Sequence, residues 1–240
     1  LSGTASFAVV KRTVTADVDG AVNGALLTDA DLLTVALEVS GIGVHVEGLA
    51  HLTVSGTLGL AMLSKLGDAR SWTALKMGDV VVSGSVDLGL NDFDAEFSVS
   101  ALDVNLASTG TPRLDWTTAF DLNTDGIADL LDIGATLPTP VALSIDFTAS
   151  IELRLRGGAS IDIGGGKAVA VIPTGGLSLQ IATMNVVSGD ATIGTLTDAR
   201  VLSFSVTGAS LFLGTGGALS GNRQAVVTAS DALGFLVQGA

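Results

Sequence analysis

Apolar and polar residues alternate along most of the chain, and the alternation changes phase at small residues. A period of two is typical of a β-strand, and a one-residue slip at a small residue indicates a bulge or corner. The pattern therefore predicts long strands with a corner at Gly41, Ala101 and Gly208. Three octapeptides show it most clearly: VSGIGVHV (39–46), VSALDVNL (99–106) and VTGASLFL (206–213).

The first and third of these segments have matching surroundings. Residues 27–41 align with residues 196–208 when two residues are dropped, and Val206 follows Val39 by 167 positions. Self-similarity at a fixed spacing is typical of serial architectures, in which each unit buries its apolar edge against the next. We therefore predict an all-β, elongated repeat architecture, either a β-solenoid or long stacked β-sheets. We expect at most one or two short helical turns, one of them in ALLTDADLL (25–33), capped by Thr28 or Asp29.

Proline-containing breaks at 109–112 (TGTP) and 137–140 (LPTP) divide the chain. Residues 1–111 form the first strand array of a long repeat. Residues 112–140 form a proline-flanked segment, and residues 141–240 form a second strand array that begins the next repeat. Because the chain begins at Leu1 without an initiator Met, we expect a piece of a longer protein.

The composition of the chain excludes several classes of binding partner. The 240 residues include 11 Lys and Arg against 24 Asp and Glu, a net charge of −13, which argues against nucleic acid or an anionic membrane surface. Without cysteine there are no disulfides or thiolate metal sites. The longest uncharged run alternates like a strand and is interrupted by glycines, so we predict no membrane-spanning helix. A mean hydropathy of +0.60 indicates that neighbouring repeats, or copies of the same chain, cover apolar surface.

One stretch carries specific chemistry, the segment DLNTDGIADLLD at 121–132. Its spacing fits a twelve-residue calcium loop with a glycine, Gly126, at the sharp turn. Ca²⁺ prefers six to eight oxygen ligands, and alternate residues of a tight loop supply them. The predicted ligands are Asp121, Asn123, Asp125, the carbonyl of Ile127, Asp129 and Asp132. The alternative is an Asp/Asn/Gly surface turn without a metal.

This segment resembles calcium loops of the EF-hand superfamily, in particular the dockerin and thrombospondin type 3 forms that use Asp at the last position. The resemblance covers about twelve residues and implies a structural Ca²⁺. The sequence upstream has a strand pattern and only 128–133 could form a helical turn, so the resemblance does not extend to a switching helix pair.

Other polar groups are weaker candidates. Asp92, Asp94 and Glu96 alternate on one face, which suits a solvated strand or a weak cation site. His45 and His51 share parity and could share a metal, but positions aligned with His45 hold Asn105 and Phe212, so we interpret this as an outward surface. No nucleophile is paired with a histidine and an acid, so we predict no enzymatic activity.

The phrases LFLGTGGAL, DALGFLVQGA, LGLAML and WTALKM resemble repeat modules of very large bacterial surface or secreted proteins, including LEPR-XLL proteins. The resemblance implies an extracellular, calcium-associated array without catalytic residues. The first functional hypothesis is therefore a calcium-stabilised structural or adhesive segment of a cell-surface filament or giant protein, whose ligand could be a surface or a polysaccharide. The second is a periplasmic β-groove that conducts lipids, which an empty apolar groove would favour. The third is a carbohydrate-active β-helix enzyme, which needs a carboxylate and arginine cluster in a cleft.

Overall fold

The computed structural model describes residues 2–19, 26–47, 50–86, 93–190, 192–220, 225–227 and 233–239. These residues form long β-strands and a single 3-10 turn, Gly134–Thr136, so the predicted all-β class is confirmed. The strands are β1 (Ser2–Asp17), β2 (Leu26–Val46), β3 (Ala50–Ser64), β4 (Ser71–Val86), β5 (Phe93–Ala107), β6 (Leu131–Asp132), β7 (Ser144–Ile145), β8 (Ile151–Ile163), β9 (Ala168–Val187), β10 (Thr195–Val206), β11 (Ser210–Thr215), β12 (Gly217–Leu219), β13 (Ala225–Val227) and β14 (Leu233–Gln238).

Ten of these strands form one open antiparallel sheet in the order β1-β2-β3-β4-β5-β8-β9-β11-β14. Strand β10 pairs with β9 beside β11, so β9 has β10 along one half of its length and β11 along the other. Two small sheets, β6-β7 and β12-β13, lie outside it. The predicted first and second strand arrays therefore belong to the same sheet.

The phase slips appear as breaks in strand register. Strand β2 has a bulge between Val39 and Ile42, where Gly41 adopts a φ of 58°. Gly208, the aligned glycine, separates β10 from β11 at a φ of 65°. The predicted helical turn at 25–33 is wrong, because residues 26–46 are strand and Asp29, at a φ of 53°, forms part of a bulge. Asp198, the residue aligned with Asp29, has the same φ.

One face of the sheet, here the covered face, carries the core. Residues 108–149 leave β5, cross this face and return to β8. Trp116, Phe120 and Phe147 from this segment pack on buried side chains of β2, β3 and β4, including Trp72. A Cβ at Gly59 would lie 2.5 Å from the Ile133 Cδ1 atom, so a glycine in β3 lets the segment approach the sheet. At the opposite end of this face, Phe212 of β11 packs against Val169 and Val171 of β9 and against Ala225 of β13.

The opposite face, here the bare face, is apolar on every strand from β1 to β10 that enters the main sheet. In the described part of the chain no other element packs on it, and Phe7, Phe204 and Leu202 are 71%, 66% and 67% exposed. On β3, every second residue from Met62 to Leu52 lies on the bare face, because this strand has no inserted residue of its own. Behind the part of the sheet that carries the core, the cross-strand register places the following residues on the bare face: Phe7, Val9, Leu33, Val35, Leu37, Leu58, Leu60, Met62, Leu75, Met77, Leu102, Val104, Leu106, Leu153, Leu155, Leu177, Leu179, Ile181, Leu202, Phe204 and Val206.

Among the described residues, no helix is long and apolar enough to cross a membrane.

Candidate functional site

An open apolar trough lies at the end of the sheet beyond the bulges. Its volume is about 830 Å³, and it borders six strands that are neighbours in the sheet: β3, β4, β5, β8, β9 and β11. The apolar residues that line it alternate along each strand and belong to the bare face. They include Leu52, Val82, Phe97, Ile161, Ile172 and Leu211.

Small residues occupy the middle of the trough. Gly84, Ala95, Ile161 and Ala170 are cross-strand neighbours on β4, β5, β8 and β9, and three of the four have little or no side chain. A Cβ at Gly84 would meet its nearest neighbour, the Leu52 Cδ1 atom, at an ordinary contact distance of 3.4 Å. The space above these strands therefore exists because the sequence places small residues there.

Polar groups at this end of the sheet occupy the other face. Thr53, Ser83, Glu96 and Ser160 form a row of cross-strand partners, and the Thr53 and Ser83 hydroxyl oxygens lie 2.6 Å apart. Strict alternation separates the two chemistries, because successive side chains of a strand point to opposite faces. The reverse side of the trough is therefore polar on β3, β4, β5 and β8, whereas on β9 and β11 it carries the apolar cluster around Phe212.

The predicted calcium loop is an exposed turn in the segment that crosses the covered face. Gly126 has a φ of 86°, in keeping with the predicted sharp turn. The carboxylate of Asp121 accepts hydrogen bonds from the backbone N–H groups of Asp125 (3.2 Å) and Gly126 (2.9 Å). The Asn123 and Asp125 side chains accept from the N–H groups of Asp125 and Ile127.

Asp129 closes this turn, whereas Asp132 lies outside it. The Asp129 carboxylate accepts hydrogen bonds from the N–H groups of Leu122 (2.7 Å) and Asn123 (3.2 Å). Asp132 belongs to β6, and its carboxylate accepts from the Ala135 N–H at 3.3 Å. Across the described residues, no three acidic, histidine or cysteine side chains converge as a metal site would require. The side chains of Asp121, Asn123, Asp125 and Asp129 supply oxygen atoms, which are the donor type that Ca²⁺ prefers.

The remaining sequence candidates are dispersed. His45 and His51 are direct cross-strand partners with ring centroids 5.9 Å apart, and both are exposed. The argument that their aligned positions face outward is wrong for Asn105 and Phe212, which are both buried. Asp94 and Glu96 lie on the polar side of β5, and Asp92 lies outside the described residues.

Sequence reasoning missed a polar group at the centre of the covered face. Asp103 is fully buried, and Arg154 donates to its Oδ2 atom at 2.5 Å. Asn105, also fully buried, accepts the Trp116 indole N–H at 3.0 Å and donates to the Leu114 carbonyl at 2.9 Å. In the sequence, Asp103 and Asn105 alternate with the apolar residues Leu102, Val104 and Leu106, so they share the face of β5 opposite to these three.

A second arginine cluster lies where β8 begins. Glu152 accepts hydrogen bonds from Arg200 on β10, at 2.6 Å and 2.8 Å, and from Arg113 at 3.4 Å. The Arg200 hydrogen bond, with the charges of both guanidinium groups, holds the pKa of the Glu152 carboxyl below its usual value of 4.5. The cluster joins the covering segment to β8 and β10 and thus fixes one end of the sheet.

No known family, curated protein or solved structure matches this chain.

Proposed function

We propose that this chain is a segment of a β-groove that holds the acyl chains of lipids on its apolar face. One observation supports the proposal: an open trough of about 830 Å³ lined mainly by apolar residues from six neighbouring strands. This volume is in the range of about 300–1,000 Å³ that is usual for small-molecule sites. An acyl chain gains roughly 0.8 kcal/mol for each methylene that it removes from water.

The continuous bare face favours a chain-like occupant over a compact one. The trough is followed along β3 by Val54, Leu58 and Leu60, so apolar surface continues beyond it. A smaller apolar depression of about 110 Å³, next to Leu37, Val39 and Met77, lies between the trough and the rest of this face. An extended acyl chain can follow such a surface, whereas a folded ligand would leave most of it wet.

The net charge of the chain affects which lipid head groups it can bind. At a net charge of −13, the protein repels an anionic lipid by long-range electrostatics. We therefore propose that neutral or zwitterionic lipids bind better than anionic lipids of the same chain length, and that this preference weakens as salt is added.

A pair of adjacent substitutions on β4 tests the trough. Gly84→Trp places an indole in the trough, whereas Ser85→Trp places the same group on the exposed polar side of the same strand. Binding of a fluorescent zwitterionic lipid should fall at least about tenfold in the first variant and remain unchanged in the second, a difference of about 1.4 kcal/mol. Equal binding by both variants, or no binding by the unaltered chain, would refute the proposal.

The second candidate function is the calcium-stabilised structural or adhesive segment of an extracellular, cell-surface array, without enzymatic activity. Its support is the internal repeat, in which two bulges with matching φ values recur. Residues 121–129 would hold the Ca²⁺, which would cross-link the turn and neutralise its carboxylates. In this case EDTA should lower the Tm, and Asp125→Asn should remove that effect. An EDTA-independent Tm, together with no calorimetric Ca²⁺ binding, would exclude the ion.

A further inference from the structure

The two copies of the repeat share a register irregularity that identifies equivalent strands. In each copy, two residues of one strand face a single residue of its neighbour, and the second of the two is an Asp with a φ of 53°. Strand β10 is therefore the counterpart of the first part of β2, and β9 is the counterpart of β1. The equivalent pairs are Val14–Ala30 with Met184–Ala199, Ala16–Leu27 with Val186–Leu196, and Phe7–Leu37 with Leu177–Val206.

The counterparts differ in how many neighbours they have. Strand β9 lies between β10 and β8. In the described part of the chain, the 16-residue strand β1 pairs with β2 along its length and otherwise only at its last two residues, where Ala16 bridges to Phe120 and the Asp17 N–H donates to the Ala119 carbonyl, so the edge from Ser2 to Thr15 has no neighbouring strand. A long free edge presents a row of unpaired backbone N–H and C=O groups, which is a template for another strand. The internal repeat indicates which strand fits this edge, because β9 shows the equivalent edge already paired.

We propose that the free edge of β1 pairs with a strand of the β8 type from another unit of the repeat. In this chain β8 pairs with β9 through Leu155–Leu179, Leu153–Ile181 and Gly157–Leu177. Transferring this register from β9 to β1 assigns Leu155 to Val9, Leu153 to Lys11 and Gly157 to Phe7. The inference goes beyond lipid binding and does not depend on it.

The facing of side chains agrees with this register. Leu153 and Leu155 lie on the bare face of β8, and Phe7 and Val9 lie on the bare face of β1. Phe7 is 71% exposed and Val9 59% exposed. In this register Leu155 lies opposite Val9 and diagonal to Phe7, so it covers part of both side chains. A one-residue shift would instead place arginines beside Phe7 and Val9.

The charges next to the β1 edge favour an incoming strand that differs from β8 at one position, that of Glu152. Glu152 of β8 binds Arg200, and the register equivalent of Arg200 is Asp31. Asp31 already pairs with Lys11 at 3.2 Å. A strand that carries an acid at the Glu152 position would therefore approach a second carboxylate, that of Asp31 on β2. The strand that belongs on this edge should carry a neutral or basic residue there.

Disulfide scanning tests the register directly, because the chain has no cysteine. The chain with Val9→Cys is mixed with synthetic peptides of the β8 sequence, each carrying one cysteine. A peptide with Leu155→Cys should form the disulfide about tenfold faster than peptides with Leu153→Cys or Arg154→Cys, since only directly opposed residues reach the Cα separation of about 4.4–6.8 Å. Equal rates at all three positions, or no reaction at any of them, would overturn the proposal.

A matched control uses the counterpart strand, whose edge is occupied. Leu179→Cys occupies the position on β9 that is equivalent to Val9, but β8 already pairs with it. The Leu155→Cys peptide should react with this variant no faster than with free thiol at the same concentration. Reaction as fast as at Val9→Cys would mean that the peptide binds the apolar face instead of the β1 edge.

The charge prediction sharpens the test. In fluorescence anisotropy, the β8 peptide with Glu152→Lys should bind the unaltered chain about threefold or more tightly than the native peptide, a modest gain typical of exposed charges. Asp31→Asn in the chain should reduce this difference. A native peptide that binds as tightly as the Glu152→Lys peptide would contradict the proposed register.

Discussion

The two faces of the same sheet are built by the same alternation of residues but have different partners. On the covered face, Trp72 and Leu63 meet a dedicated 108–149 segment and are excluded from water. On the bare face, comparable aliphatic residues such as Leu202 remain largely exposed. The difference indicates that stability resides mainly on one face, which leaves the other available for a ligand.

The sharpest test of this comparison pairs two phenylalanines. Phe120→Ala, on the covered face, should destabilise the chain by about 3–5 kcal/mol, because the side chain is fully buried and leaves a cavity. Phe204→Ala, on the bare face, should cost less than about 1 kcal/mol, because the ring is 66% exposed. Urea unfolding measures both, and similar costs would show that both faces contribute equally to the core.

A smaller effect is expected from the polar contact that attaches the covering segment to β5. Asn105→Ala should destabilise the chain by about 1–3 kcal/mol, because the Trp116 indole N–H and the Leu114 carbonyl both lose a buried partner. In a double-mutant cycle with Trp116→Phe, the two changes should be coupled by more than about 0.5 kcal/mol. Strict additivity would mean that the hydrogen bond contributes little.

The smallest effect concerns acid stability. Because the pKa of folded Glu152 lies below its usual value of 4.5, the stabilisation from Arg200 and Arg113 is complete above about pH 4.5. It is lost as the pH falls through the lower folded pKa. Glu152→Gln should therefore lower the Tm at pH 6 by more than at pH 3. Arg200→Gln should give the same pH profile, and a pH-independent loss in either variant would point to packing instead of charge.

Much of the strand framework could be predicted from the sequence, because alternation is a local property. The slips at Gly41 and Gly208 marked real breaks, and both glycines have positive φ values. The segment 25–33 was misassigned because ALLTDADLL fits a capped helical turn locally. In the structure, pairing with β1 keeps it extended, and Asp29 absorbs the mismatch as a bulge.

The candidate site was less accessible to sequence reasoning. The trough joins residues from Ala50 to Leu211, and only the order of strands in the sheet brings them together. Periodicity also gives no information on which face of a strand is covered, so the buried Asn105 was interpreted as outward-facing. The turn at Gly126 was located correctly because its signal is confined to neighbouring residues.

The equivalence of β1 and β9 has a metric consequence. Six strands, β1 to β5 and β8, precede the point at which the pattern starts again. At about 4.8 Å per strand, one unit advances roughly 29 Å in the direction of its hydrogen bonds. If units join through β1 as proposed, the length of the joined sheet grows in proportion to the number of repeats, so the number of repeats sets the distance that the assembled sheet can span.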